Sequence, residues 1–235
     1  MTNSTVPYPE MSSVCPVHAS SVQEAKKLQE NLRQRVQSIT LSSEIRLIAG
    51  ADVSCDMNSN WGVGGVVVCD AHTYKIVDQA SFRGPISFPY VPGYLSFREL
   101  PLLLPAFERL SRKPDLVICD AQGIAHPRRF GLACHLGVAL DRPSIGCAKS
   151  RLVGEHVEPA NERGGRVPLT LESEVVGAVV RTRTGVAPLY VSVGHKITLD
   201  EAVDWVLRTT PCYRVPEPVR WAHKLVNQIR VKQSD

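Results

Sequence analysis

The chain has 235 residues, of which 43% are apolar, 6% aromatic and 21% charged. This composition excludes a disordered chain, and the length suffices to bury a core without help from disulfides or metals. A net charge of +4 permits contact with a polyanion but does not demand it. The charge is unevenly placed, because residues 208–235 contain six basic residues and only two acidic ones.

The seven cysteines are scattered, odd in number and contain no Cys-X-X-Cys pair. This usage indicates free thiols in a reducing compartment and no zinc site. The sequence also lacks a run of 18 apolar residues and an N-terminal basic region followed by an apolar core. We therefore expect a soluble, cytoplasmic, monomeric protein without a membrane segment.

The N-terminal part of the chain predicts a tail, a helix and a meander. Residues 1–19 lack periodicity and are predicted to be a flexible tail, whereas residues 20–235 show no repeat or linker and are predicted to form one domain. Ser21 with Glu24 forms a capping-box pattern that opens a helix near 21–37. Three β-rich runs joined by short polar turns then predict an antiparallel meander, over residues 45–55, 62–70 and 75–84.

After residue 93 the pattern alternates between helix and strand, which is typical of parallel pairing in a helix-covered sheet. The predicted elements are a helix near 94–111, a strand at 115–120, a helix near 129–140, a strand at 143–148, strands at 174–180 and 188–193, a helix opened by Thr198 and Glu201, and a last helix after Pro218. Residues 151–173 are predicted to be an exposed polar excursion. The fold class is α/β, with a mixed central sheet flanked by helices.

Two carboxylates occupy unusual positions in the predicted strands. Asp52 lies inside an apolar strand, and Asp120 closes the buried strand at 115–120. A carboxylate at the end of a buried parallel strand points into the crevice where open α/β sheets bind ligands, although a loop-capping Asp would give the same pattern. If the two strands are neighbours, both side chains come within reach of one Mg²⁺ or Mn²⁺ ion. Acids on the first and fourth strands of such a sheet resemble the ribonuclease-H-like pattern.

The most specific local feature is the run Phe88–Glu99, in which Pro89 and Pro92 flank Tyr90. Two prolines restrict the backbone on either side of the aromatic ring, so the ring is predicted to stand out on a stiff loop. Such a ring could enter a base stack and help to extrude a nucleotide. The alternative is a turn whose tyrosine packs on the core.

Six blocks of the sequence together resemble the Endonuclease V family of deoxyinosine 3′-endonucleases, of the bacterial type. They are AGADVS (49–54), PYVPGYLSFRE (89–99), DAQGIAHPRRFGLACHLGV (120–138), GCAKS (146–150), YVSVGHK (190–196) and YRVPEPVRWAH (213–223). The resemblance implies a ribonuclease-H-like, Mg²⁺-dependent DNA repair nuclease, in which Mn²⁺ can substitute. It also implies recognition of deaminated adenine in DNA and hydrolysis of the second phosphodiester bond on its 3′ side, leaving a 3′-hydroxyl and a 5′-phosphate.

The same resemblance implies roles for individual residues. Asp52 and Asp120 match the metal-binding pair, and Glu99 matches the third active-site carboxylate. Tyr90, which is flanked by Pro89, Val91 and Pro92, matches the wedge residue that separates the DNA strands. The family's pocket for the extruded base falls on Gly93, Leu95, Gly123 and His126, and its further catalytic positions fall on Lys149 and His223. Arg128 and Arg129 suit phosphates, with solvation as the alternative, and His135 is expected to serve packing.

Three other functions are compatible with parts of this pattern. An inosine-directed ribonuclease would need to recognise the 2′-hydroxyl of RNA. No motif in this sequence indicates whether it does. Inosine-containing RNA therefore stays a second predicted partner beside damaged DNA. A non-catalytic reader of deaminated bases would have lost acidic residues that this chain keeps. A glycosylase would not need a set of metal-binding carboxylates.

Overall fold

The computed structural model describes residues 15–55 and 60–231. In chain order the elements are α1 (Val22–Leu32) with a 3₁₀ turn at Arg33–Arg35, β1 (Leu47–Cys55), β2 (Trp61–Asp70), β3 (Ile76–Pro85), α2 (Leu95–Glu108), β4 (Leu116–Cys119), α3 (Leu132–Leu140), β5 (Ser144–Ala148), β6 (Arg166–Leu171), β7 (Glu174–Val180), β8 (Leu189–His195), α4 (Leu199–Arg208) and α5 (Glu217–Val231). Within the described ranges, no helix has the length and apolarity needed to cross a bilayer. All seven cysteines are free thiols.

The strands form one mixed sheet in the order β3-β2-β1-β4-β5-β8-β7-β6. Strands β1 to β3 pair as the predicted antiparallel meander. Strand β4 pairs in parallel with both β1 and β5, which confirms the mixed α/β class. The expectation of parallel pairing throughout the second half is wrong, because β8, β7 and β6 continue from β5 in antiparallel order.

The predicted excursion at 151–173 contains a strand that its polar composition hid. Strand β6 lies at the edge of the sheet and forms a hairpin with β7 across Glu172 and Ser173, whose φ angles are +54° and +68°. An edge strand that buries one side only, as at Leu169, can carry polar residues on the other. The residues before it, 151–165, are largely exposed.

Helices cover both faces of the sheet and bury its central strands. On one face, α2 and α3 pack on odd-numbered residues such as Ala49, Val117 and Cys119. On the other face, α4 and α5 pack on even-numbered residues such as Ile48 and Ile118. Because side chains alternate along a strand, even-numbered residues at the ends of β1 and β4 point to the face that carries α5.

The helix starts follow the predicted capping residues with one difference. Thr198 and Glu201 form the complete reciprocal box that opens α4. Ser21 accepts a hydrogen bond from the Glu24 amide at the start of α1, but the Glu24 carboxylate accepts from the amide and hydroxyl of Ser20 instead of returning to Ser21. Both helices therefore begin where side chains satisfy their free amides.

The chain just before α1 packs against the sheet-covering helices. Residues 1–14 of the predicted tail lie outside the described residues, but Cys15 and Val17, which the prediction also placed in the tail, are buried in the main apolar cluster. The ring of His135 on α3 connects this segment to α2, since Nε2 donates to the Pro16 carbonyl (3.1 Å) and Nδ1 accepts from the Ser96 hydroxyl (3.0 Å). His135 therefore serves packing, as expected, and it also satisfies two buried polar groups.

Burial lowers the pKa of His135 to about 4, so this ring stays neutral in the folded protein while the unfolded chain takes up a proton near pH 6.5. Stability from this group is complete above pH 6.5 and is lost as the pH falls towards 4. We expect His135 to cost about 2 kcal/mol of unfolding free energy between pH 7 and pH 5. Urea unfolding at both pH values should show a flatter pH dependence in His135→Gln. The exposed-site control His72→Gln should keep the wild-type slope, and an equal slope in all three proteins would contradict the assignment.

Candidate active site

Two aspartates lie side by side where the central strands end. Ala51 on β1 is in register with Cys119 on the parallel strand β4, so the next residues, Asp52 and Asp120, are neighbours on the same face. Their side chains are 17% and 15% exposed. Burial is the main cause that raises the pKa of Asp52 above its ordinary value, and the negative charge of Asp120 raises it further. The sequence prediction that these carboxylates meet is confirmed by the strand order.

Each aspartate is held by a nitrogen from another element. His223 on α5 places Nδ1 at 2.8 Å from Asp52 Oδ2, and Lys149, just beyond β5, donates to Asp120 Oδ2. The opposite ring nitrogen of His223, Nε2, lies 3.0 Å from Asn227 Nδ2, and the Ser54 hydroxyl donates to Asn227 Oδ1 at 3.3 Å. A neutral imidazole with its proton on Nδ1 satisfies every one of these contacts.

Glu99, in the second turn of α2, completes a group of three carboxylates. Its pKa is raised to about 8, first by burial and then by the charges of Asp52 and Asp120, while Arg98 opposes the rise. The charges of both aspartates act on Glu99, which places it in their vicinity. The structure therefore brings together all five residues that the resemblance placed in catalysis: Asp52, Glu99, Asp120, Lys149 and His223.

The donor set fits a hard divalent cation that keeps several waters. In the part of the chain that the structure describes, no three His, Cys, Asp or Glu side chains converge as a ready-made metal cluster. Asp52 and Asp120 nevertheless present two partly buried carboxylates whose remaining lone pairs are available, because one nitrogen contact does not saturate a carboxylate. Mg²⁺ is commonly held by one or two carboxylates together with water and substrate phosphate. A cation there would also relieve the repulsion that raises the pKa of Glu99.

A cavity of about 380 Å³ opens beside Asp120 and Lys149. Its wall includes Gly93 and Leu95 at the start of α2, and His126 after β4. The rim carries three residues of the proline-flanked loop, Tyr90, Val91 and Pro92. The cavity therefore adjoins both Asp120 and the predicted wedge.

The predicted wedge stands out from the surface, as its sequence suggested. Tyr90 is 72% exposed, while Phe88 before it and Tyr94 after it are buried against Phe97. Arg98 donates to the Phe88 carbonyl at 2.9 Å, and the Tyr94 amide donates to the Val91 carbonyl at 3.0 Å. The loop is thus fixed at both ends with its aromatic ring in solvent, and core packing of Tyr90 is excluded.

Two of the four residues expected to form the base pocket have different surroundings. Gly123 does not line the cavity, because its backbone packs against β8 so closely that a Cβ would overlap the Val193 carbonyl. His126 lines the cavity, but both ring nitrogens are engaged: Nε2 donates to the Gly93 carbonyl at 2.9 Å, and Nδ1 accepts from the Arg128 amide at 3.2 Å. Gly123 therefore packs on β8 outside the cavity lining, and His126 has no free donor for a ligand.

The arginines that the sequence suggested for phosphate binding are committed within the protein. Arg128 donates to the Gly93 carbonyl, and Arg129 contacts the carboxylate of Glu174 at 3.0 Å. The sequence reasoning also missed the cavity residues Gln29 and Gln122. Gln29 is a polar residue on the buried face of α1, which was the available signal, and Gln122 belongs to the block that begins at Asp120.

The mixed sheet, with paired aspartates on its first and fourth strands, defines a ribonuclease-H-like α/β protein. The Endonuclease V family model matches residues 30–224. Endonuclease V of Myxococcus xanthus is 51% identical over 208 residues, which cover 88% of each protein. The chain belongs to the Endonuclease V family, whose members are endonucleases.

Solved structures of the family share this architecture. Endonuclease V of Streptomyces avermitilis is 40% identical with a TM-score of 0.88, covering 92% of this chain and 96% of that one. Endonuclease V of Ciona intestinalis, 28% identical with a TM-score of 0.75 over 91% of this chain and 98% of that one, was solved with a DNA 23mer containing an inosine followed by a ribo-adenosine. The similarity in sequence and the similarity in structure both confirm the resemblance to the Endonuclease V family.

Proposed function

We propose that this chain is a Mg²⁺-dependent repair endonuclease, in which Mn²⁺ can substitute, that acts on DNA containing deoxyinosine. It hydrolyses the second phosphodiester bond 3′ to the lesion and leaves a 3′-hydroxyl and a 5′-phosphate. The observation that carries the proposal is the proximity of three features: neighbouring aspartates, a cavity beside Asp120 and an exposed tyrosine that lines this cavity. The inosine-containing DNA bound by the Ciona relative supports the substrate class.

In the proposed reaction, the carboxylates and the residues that contact them have different roles. A divalent cation bound by Asp52 and Asp120 would neutralise phosphate charge and stabilise the leaving oxygen. Glu99 lies near both aspartates, where its carboxylate would orient the attacking water or hold a second cation. Lys149 lines the cavity beside Asp120, where its ammonium group can bind a phosphate oxygen. His223 holds the Asp52 side chain in position through Nδ1.

Lesion recognition in this proposal uses the cavity and the loop. Gly93 and Leu95 bring the start of α2 to the cavity wall, next to the exposed ring of Tyr90. Hypoxanthine extruded from the duplex would enter the cavity, while Tyr90 would fill the space left in the stack. Base stacking on an aromatic side chain contributes roughly 1–3 kcal/mol, which offsets part of the cost of unpairing.

One labelled duplex with a single deoxyinosine tests the proposal. With Mg²⁺ we expect a nick one nucleotide 3′ of the lesion, with 3′-hydroxyl and 5′-phosphate ends. The matched duplex with deoxyadenosine at that position should stay intact, as should the inosine duplex in the presence of a chelator. An abasic product, or cutting that continues without divalent cations, would overturn the proposal.

Cleavage beside inosine in RNA is the second candidate. The Ciona complex, in which a ribose follows the inosine, is the observation that favours it. The same assay with an inosine-containing RNA, and with DNA carrying a single ribonucleotide 3′ to the lesion, separates the two functions. Preference for the all-DNA duplex supports repair, whereas faster cutting of RNA would make the endoribonuclease the principal activity.

A further inference from the structure

One carbonyl oxygen beneath the exposed tyrosine accepts hydrogen bonds from three side chains. The Gly93 carbonyl lies 3.0 Å from Gln29 Nε2, 2.9 Å from His126 Nε2 and 2.6 Å from Arg128 Nη2. These donors come from α1 and from the segment after β4, which are far from Gly93 in sequence. The carbonyl directly follows the loop Pro89–Pro92, so the three donors fix the base of that loop.

The donors are also tied to one another. Arg128 Nε donates to Gln29 Oε1 at 2.5 Å, and Gln29 Nε2 also reaches the Phe130 carbonyl at 3.3 Å. These contacts fix the orientation of the Gln29 amide, since both carbonyls require its nitrogen and Arg128 requires its oxygen. The Arg128 guanidinium also lies 4.2 Å from the centre of the Tyr94 ring, on the C-terminal side of Gly93.

Only glycine fits at position 93 in this hydrogen-bonded arrangement. Its φ angle is +81°, and a Cβ would approach Arg128 Nη2 at 3.0 Å and His126 Nε2 at 3.5 Å. This positive-φ conformation, which glycine adopts without strain, turns the carbonyl towards the three donors. Gln29 is 1% exposed, so its hydrogen bonds are shielded from water.

We propose that Gln29, together with Arg128, is a positioning residue for duplex opening. The pair fixes the Gly93 carbonyl and thereby holds the loop that carries Tyr90 rigid when it enters the base stack. This inference rests on the proposed function, because it gives Gln29 a role in the wedge step. A rigid loop loses less conformational entropy on binding than a mobile one. Because this loop carries Tyr90 into the base stack, we expect the gain only with duplex substrates, whose strands must be separated.

Comparison of duplex and single-stranded inosine DNA isolates this role, because a single strand needs no separation. Gln29→Leu removes the amide donors at similar size, and we expect the ratio of duplex to single-strand cleavage to fall about tenfold. Gln23→Leu, an exposed glutamine on the same helix, should keep the wild-type ratio. In a Tyr90→Ala background, Gln29→Leu should cause no further fall. Equal loss on both substrates, or an additional loss in the Tyr90→Ala background, would overturn the inference.

Two further measurements keep the test independent of folding and of the proposed activity. If Gln29→Leu does not fold, Arg128→Lys replaces it, because an ammonium group cannot bond Gly93 and Gln29 together as the planar guanidinium does. Amide hydrogen exchange at Tyr94, without DNA, should accelerate in Gln29→Leu but not in Gln23→Leu. Unchanged exchange would overturn the clamp even if the enzyme proved active, and accelerated exchange in a protein that cuts no inosine substrate would refute only the proposed function.

Discussion

Replacing Asp52 by Asn should reduce inosine-directed cleavage about 1,000-fold or more while leaving the protein folded. The amide keeps the size of the side chain and can still accept from His223, but it removes the negative charge that a divalent cation requires. Asp120→Asn should cause a similar loss, because Asp120 is the second carboxylate of the pair. Single-turnover cleavage of the inosine duplex with Mg²⁺ measures both effects.

Stability should change in the opposite direction from activity in Asp52→Asn. Burial raises the pKa of Asp52, so its ionised form at neutral pH is less favourable in the folded protein than in the unfolded chain. We therefore expect the metal-free variant to melt at the same temperature as the wild type or higher. Added Mg²⁺ should raise the Tm of the wild type and not that of the variant, because only a folded state that binds the ion is stabilised.

Asp204→Asn provides the matched control, since Asp204 is an exposed carboxylate on α4. It should retain wild-type cleavage and the wild-type response to Mg²⁺. Retention of full activity in Asp52→Asn would exclude this residue from the proposed metal site. A large loss of Tm in that variant would instead show that the carboxylate stabilises the fold.

Gly50→Ala should destabilise the protein by about 3 kcal/mol or more, because the new methyl group has no space. Strand β1 passes directly beneath the first turn of α5 at this point, and a Cβ on Gly50 would overlap the Pro218 backbone. Backbone atoms cannot rotate away as a side chain would, so the helix itself must move. Helix α5 carries His223, and its displacement should also separate that ring from Asp52.

Urea unfolding and cleavage under conditions where the variant remains folded test both consequences of Gly50→Ala. Gly185→Ala is the control, since no heavy atom lies within 4 Å of the added group, although its φ angle of +73° is unfavourable for alanine. We expect that control to lose about 1 kcal/mol and to keep its cleavage rate. A Gly50→Ala protein as stable as the control would show that α5 is not seated on β1 as described.

Local patterns gave reliable information about the elements and about single residues. The meander, the alternation of helices with buried strands, the Thr198 capping box and the exposed loop at Tyr90 were all predicted and are confirmed. Each depends on residues close together in the chain, where periodicity, proline and capping side chains act directly. The edge strand β6 was missed because a strand that buries one side only has a weaker apolar signal.

The sequence by itself determined the Endonuclease V family, and it predicted which carboxylates lie together, since each is part of a contiguous block of residues typical of the family. The tertiary structure alone decided the antiparallel order of β8, β7 and β6, the packing of Gly123 against β8, and the convergence of Gln29, His126 and Arg128 on the Gly93 carbonyl. These features depend on which distant segments pack together, and no local sequence pattern indicates which segments those are. A buried hydrogen-bonding group must find its partner wherever the fold brings one.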